Sequence, residues 1–248
     1  MGLWFKKFFN SIGVDVLIND PNSEDSVQLK KLCEECKIII LSVPISSAEP
    51  VIKDLLKHIK PGSLIVENFS IKHACLNKLI EQAPKDVEVL GIHTMFGSDV
   101  KTLRKQNIII SKNSKSKKLS KNFIDLLHKH GASISELDAN EHDNHAAYLQ
   151  SLIQFLLLGY GKALSETFDS KKDIESMNTP NSRNIISTLT RVLNLSDDLL
   201  SDMQIINPEN KKARERLVKN LENINTLIET KDIKKLLKLK KEVKDFID

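Results

Sequence analysis

The chain has 248 residues, 40% hydrophobic and 28% charged, the balance of an ordinary soluble protein long enough to bury a core of its own. A net charge of +4 is too small for this length to argue for a nucleic-acid partner. Three cysteines, Cys33, Cys36 and Cys75, are too few and odd in number for a disulfide framework and fit a reducing cytoplasm, and no apolar run is long enough to span a membrane.

In chain order, MGLWFKKFFNSIG lacks the long apolar region and small-residue cleavage site of a signal peptide and reads as a first helix. VDVLIND (Val14 to Asp20) reads as a short strand, SVQLKKLCEE as a helix, and KIIILSVP as a continuous apolar strand stopped by Pro44. SAEPVIKDLLKHI, SLIVENFS, KHACLNKLIEQA, VEVLGIH and NIIIS then continue the alternation of helices and strands. Continuous apolar strands between amphipathic helices predict a parallel sheet covered on both faces, the doubly wound Rossmann-type α/β pattern. A helix ending at Gly131 and a short strand ASISEL close this half. Asp138 and Glu141 are spaced as a capping box, and only helical periodicity follows, from there to about Phe168 and on to the C-terminus. The division is a Rossmann-type α/β domain at 1–137 and an all-α domain at 138–248.

Gly2 opens a helix and Asp20 ends the next predicted strand, 18 residues on. In a G-x-G-x-x-G βαβ unit the third glycine permits close helix–strand packing, and an acidic residue about 20 residues later binds the ribose hydroxyls. Gly2 and Asp20 fit those roles; the first strand and the two glycines that approach the pyrophosphate are absent from the sequence. Met1 is then either an internal methionine of a longer protein, which the intact remainder favours, or the start of a protein that has lost nucleotide binding.

Three segments, VENFSIK, LGIHTMFGSD with TLRKQNIII behind it, and EHDNHAAYLQSLIQFLLLGYG, resemble the prephenate dehydrogenases, especially the type fused to chorismate mutase in bacteria. Their order and spacing carry the resemblance, which extends over nearly the whole chain. It implies oxidative decarboxylation of prephenate to 4-hydroxyphenylpyruvate in tyrosine synthesis, with a pyridine nucleotide, in a cytoplasmic homodimer. His93 then matches the catalytic histidine that takes the ring-hydroxyl proton, a role suited to a group titrating near neutrality. Without the resemblance, a structural histidine would serve as well. Ser70 matches the serine orienting that hydroxyl, and Lys72 follows it in an S-x-K pattern; by residue type alone they could be a helix cap and an exposed charge. Arg191 aligns with the arginine that pairs with a substrate carboxylate, for which a guanidinium fork is suited. Gln154 stands where relatives often carry a substrate-contacting histidine, and Gln150 lies one turn earlier; this leaves prephenate against arogenate open. Ser42, Val43 and Pro44 lie where the resemblance places the cofactor, and Asp20 favours NAD over NADP because a carboxylate repels a 2′-phosphate. A rival from another class is a catalytically silent dimer.

Cys33-x-x-Cys36 lacks further zinc ligands nearby, and His142 with His145 beside Asp143 is a weak metal pair that the resemblance makes a feature of the interdomain junction. No metal is expected. Lys112 to Lys121 is read as a solvated loop and helix start, and the apolar stripe of the basic C-terminal helix as a packing surface within the helical half or a dimer.

Overall fold

The computed structural model describes residues 1–73 and 75–248. They fall into two compact units, Met1–Ala146 with Thr190–Asn207, and Ala147–Leu189 with Pro208–Asp248. The sheet-bearing unit thus includes 138–146 and 190–207, which a division at residue 137 places in the helical half.

The first unit holds a five-stranded sheet in sequential order: β1 Ile38–Leu41, β2 Leu64–Glu67, β3 Glu88–Thr94, β4 Asn107–Ser111 and β5 Ser133–Glu136. Strands β1, β2 and β3 are parallel, with Ile38 opposite Leu64 and Leu64 opposite Glu88. β4 runs antiparallel to β3, and β5 parallel to β4. The sheet is therefore parallel-dominated rather than wholly parallel. The reason lies in the connections: residues 95–106 contain no crossover helix, so the chain returns antiparallel, whereas α5 (Lys118–Lys129) carries it across to β5.

Period-two alternation sends side chains to two cores. Ile65 and Val89 join Leu32, Ile52, Leu55 and Leu79 from α2 (Leu29–Glu35), α3 (Ala48–His58) and α4 (Leu76–Gln82). Leu64, Val66, Leu90 and Ile92 join Phe123 and Leu127 of α5 and Trp4, Phe5 and Phe9 of α1 (Gly2–Ser11). Every residue of β2 and β3 is buried, as a strand covered on both faces requires. Pro50 sits in the first turn of α3, where a missing N–H costs little.

The strand expected at Val14–Asp20 does not form; Ile18 makes one isolated bridge to Ser26. No described strand lies between this segment and β1, whose outer edge is open and whose Ile38 is 39% exposed. A lone extended segment without a ladder has too few hydrogen bonds to persist as a strand.

Helical hydrogen bonding runs through α6 (Ala139–Ala146), a π turn at Ala147–Ser151, and α7 (Leu152–Thr167). The expected capping box starts it: Glu141 N–H donates to Asp138 Oδ1 at 2.9 Å and Asp138 N–H to Glu141 Oε2 at 3.3 Å. Beyond α8 (Lys171–Ser176), α9 (Pro180–Leu193) ends in the sheet unit, as does α10 (Asp197–Ile205). In the second unit α11 (Asn210–Glu229) packs against α7, and α12 (Ile233–Ile247) against α11, leaving Leu221, Ile228, Leu237 and Phe246 exposed. No helix of the described residues is long and apolar enough to cross a membrane.

Gly91 in β3 marks a close approach between strand and helix in the sheet unit. A Cβ there would lie 2.7 Å from Leu76 Cδ2 and 3.3 Å from Glu67 Oε2. Gly91→Ala is expected to lower unfolding free energy by about 1–3 kcal/mol through overpacking. Urea denaturation measures this; an unchanged midpoint at constant slope would contradict the close approach.

Candidate active site

The site is built where β2 and β3 end. Glu67, the last residue of β2, and Lys72 are both fully buried, with Nζ donating to Glu67 Oε2 at 2.8 Å. Nζ also donates to Phe69 O at 2.8 Å and to Ile92 O, while Phe69 N–H donates to Glu67 Oε1 at 2.9 Å. Three donors on Lys72 meet three acceptors, the pattern of an ammonium facing a carboxylate. Burial pushes Glu67 up to about 7 even though Lys72 opposes the shift, and burial pushes Lys72 down. Removing either partner would strand the other charge, at a cost of about 3–5 kcal/mol.

A second carboxylate fixes the loop above that pair. Asp143 on α6 accepts from the backbone N–H groups of Lys72 and His73, each at 2.8 Å. Its Oδ1 also meets His142 Nδ1 at 2.8 Å, and its carbonyl accepts from Asn207 Nδ2 at 2.8 Å. His142 Nε2 lies 2.8 Å from Nδ1 of His93. These contacts determine the tautomers. An ionised Asp143 needs the proton on His142 Nδ1, which leaves His142 Nε2 as an acceptor. His93 must then donate from Nδ1, so its Nε2 carries the lone pair. Burial first, then Lys72 and His142, holds His93 well below the usual histidine range; burial lowers His142 as well, although Asp143 opposes it.

His93 borders a cavity of about 460 Å³. The other walls come from Ser42–Ile45 after β1, Asn68–Ser70 after β2, Thr94 and Phe96–Ser98 after β3, and parts of 194–202. Ser46 N–H ties Asp202 to the β1 end at 3.1 Å.

Of the residues singled out from the sequence, the structure brings His93, Ser70, Ser42, Val43 and Pro44 together around this cavity. Lys72 does not reach the wall, because all its donors are taken beneath it. Arg191, on the last turn of α9, is exposed and outside the lining. Gln150 and Gln154 belong to the second unit, Gln154 buried and Gln150 half-buried within it. Asp20 is also outside the lining; its carboxylate accepts from Asn22 N–H at 2.9 Å, closing a local turn. Cys33, Cys36 and Cys75 are free thiols, and no metal-ligating cluster occurs among the described residues. Sequence reasoning missed Glu67, Asn68 and Asp202 and set His142 and Asp143 aside. Glu67 was signalled only by an acid closing an apolar strand.

For a pyridine nucleotide the fit is to one end. Helix α1 begins without a side-chain cap, and Met1 at its amino end lines the cavity, so free backbone N–H groups stand where an anion would be favoured. The sequence offers one of the three glycines, Gly2, whose added Cβ would meet only Ser42 Cβ at 3.9 Å.

Residues 11–136 match the family described as prephenate dehydrogenase, nucleotide-binding domain, and residues 138–242 that described as prephenate dehydrogenase, dimerization domain. A Methanocaldococcus jannaschii protein named "Probable arogenate/prephenate dehydrogenase" is 25% identical over 256 residues, 98% of this chain and 57% of that protein. A Haemophilus influenzae T-protein is 24% identical over 232 residues, 94% of this chain and 60% of that one. The chain thus spans roughly three fifths of the length of these relatives. In fold it is similar to a crystal structure of prephenate dehydrogenase from A. aeolicus, in complex with hydroxyphenyl propionate and NAD+. The TM-score is 0.73 at 17% identity, over 96% of this chain and 82% of that one.

The buried imidazoles set a pH dependence. Both histidines are held below 6.5 in the folded protein, so the unfolded chain takes up protons first as pH falls through 6.5, and stability declines. Glu67 acts in the opposite sense, because the folded protein retains its proton between 4.5 and about 7. Comparison with His93→Asn cancels the Glu67 contribution. From pH 6.5 to roughly pH 5.5 the variant should lose less stability, by up to about 1.4 kcal/mol per pH unit. Urea denaturation at several pH values reads the difference, and equal slopes would contradict a neutral, buried His93.

Proposed function

Since the chain belongs to the prephenate dehydrogenase family, we propose that it oxidatively decarboxylates a cyclohexadienol of the prephenate type, yielding 4-hydroxyphenylpyruvate from prephenate itself. The observation that carries this reading is His93 Nε2, left as a hydrogen-bond acceptor on the cavity by the His142–Asp143 pair behind it.

In this reading Nε2 takes the proton of the ring hydroxyl, and Ser70, which lines the same cavity, holds that hydroxyl in line. A bound pyridine nucleotide supplies the hydride acceptor. Loss of carbon dioxide makes the ring aromatic, and His93 returns its proton to the phenolic oxygen. The proton arrives next to His142, so the charge is shared toward the Asp143 carboxylate instead of resting on a desolvated ring beside Lys72. Water is limited by Phe69 and Phe96 in the wall. The backbone at Ser42–Pro44 and the amino end of α1 would hold the nucleotide, with NAD preferred over NADP on account of Asp20. The carboxylate-anchoring role expected of Arg191 stays part of this reading; the side chain is exposed and outside the cavity lining.

Arogenate is the second reading, and one observation favours it. The carboxylates in the lining are Asp198 and Asp202, with no lysine or arginine among its described residues, a setting that suits a substrate ammonium better than a further carboxylate. Comparing kcat/KM for the two substrates decides between them. The exposed apolar side chains of α11 and α12 support a homodimer, expected by light scattering as a mass near twice 28.1 kDa.

Nucleotide reduction in the presence of prephenate or arogenate tests the activity. His93→Asn should lower kcat by roughly 10²–10⁴ while leaving hydroxyphenylpropionate binding within a few-fold. Full turnover in the variant would end the proposal.

A further inference from the structure

Asn68 stands one residue beyond the end of β2, 9% exposed, with its side chain in the cavity wall. Its backbone N–H continues the sheet by donating to Leu41 O at 3.1 Å. Where the ladder stops, the side chain takes over: Oδ1 accepts from Thr94 N–H and from Thr94 Oγ1–H, each at 3.4 Å.

Those contacts orient the amide. A backbone N–H can only donate, so the oxygen must face Thr94 and Nδ2 must face away from it. Nδ2 has no hydrogen-bond partner among the described residues. Nδ2 is not among the fully buried unpartnered atoms, so this idle donor keeps contact with solvent and is available to whatever enters the cavity. Ser70 and His93 border the same space. The NH2 group offers two donors and no acceptor, so it excludes a cation and matches an oxygen carrying lone pairs.

We propose that Asn68 is a ligand-binding residue: Nδ2 donates to a planar carbonyl-type oxygen, of a carboxylate or a carboxamide, on the molecule held beside His93. The assignment rests on the cavity being the active site of the proposed reaction. Two molecules of that reaction carry such an oxygen, the acid substrate and the nicotinamide carboxamide, and Asn68 serves one of them.

Binding titrations with hydroxyphenylpropionate and, separately, with NADH distinguish the two. Asn68→Asp keeps an oxygen for Thr94 and loses the donor; Asn68→Ala removes both. For the ligand that Asn68 holds, both variants should weaken binding roughly tenfold or more and raise the corresponding KM, with kcat changed far less. The other ligand should bind as before, which also establishes that the variants are folded. Unchanged binding of both probes in both variants overturns the assignment while leaving the proposed activity standing. A native protein that binds neither probe removes the activity and the assignment together.

Discussion

A carboxylate without water must have its oxygens filled, and in this protein Asp143 has them filled by the loop that follows β2. The backbone N–H groups of Lys72 and His73 bind it, and it in turn orders His142 and, through His142, His93. One buried group thereby ties a helix to two strand ends and decides which nitrogen of His93 is free. Orientation and tautomer come from the same contacts, so neither can be lost alone. The sheet unit gathers residues 139–146 and 190–207 around this point, and Asn207 anchors the Asp143 carbonyl from the far end of that segment.

Beneath lies the Glu67–Lys72 pair, which ties the same loop to the sheet itself. Its ammonium reaches the carbonyl of Ile92, one residue before His93. Gly91 makes room for the arrangement, because a side chain there would crowd Glu67 Oε2 and Leu76. A positive charge under an imidazole disfavours protonation of that ring, which keeps it receptive at neutral pH. The electrostatics of the base are thus set by strand packing as much as by the residues that face the cavity.

The strands that were legible in the sequence are those with continuous apolar runs: KIIIL, SLIV and VEVLGI declare themselves by composition, the last two buried on both faces. VDVLIND has the same composition and forms no strand, because strand formation needs a neighbour and composition does not report one. The direction of β4 depends on a helix-free connection, a feature spread over twelve residues without a motif. His93 and Ser70 were legible through the resemblance of the segments that carry them, with His93 also near the carboxyl end of a strand, where ligands bind in such sheets. Lys72 looked like an exposed charge; its partner Glu67, five residues earlier, reverses that reading only once the loop is folded. The contact of Asp143 with the loop spans about seventy positions, beyond the reach of local pattern.

The open flank of β1 has a further consequence. Among the described residues no strand pairs with the outer side of Ile38–Leu41, an uncharged apolar segment whose Ile38 is partly exposed. Such a flank is a template for any extended peptide, because adding a strand there satisfies donors and acceptors without disturbing either core. Its brevity, four residues, limits the register to a few alignments, and Lys37 and Pro44 bound it as natural gatekeepers. Strand addition at such a flank would be distinct in kind from any pairing through the helical half.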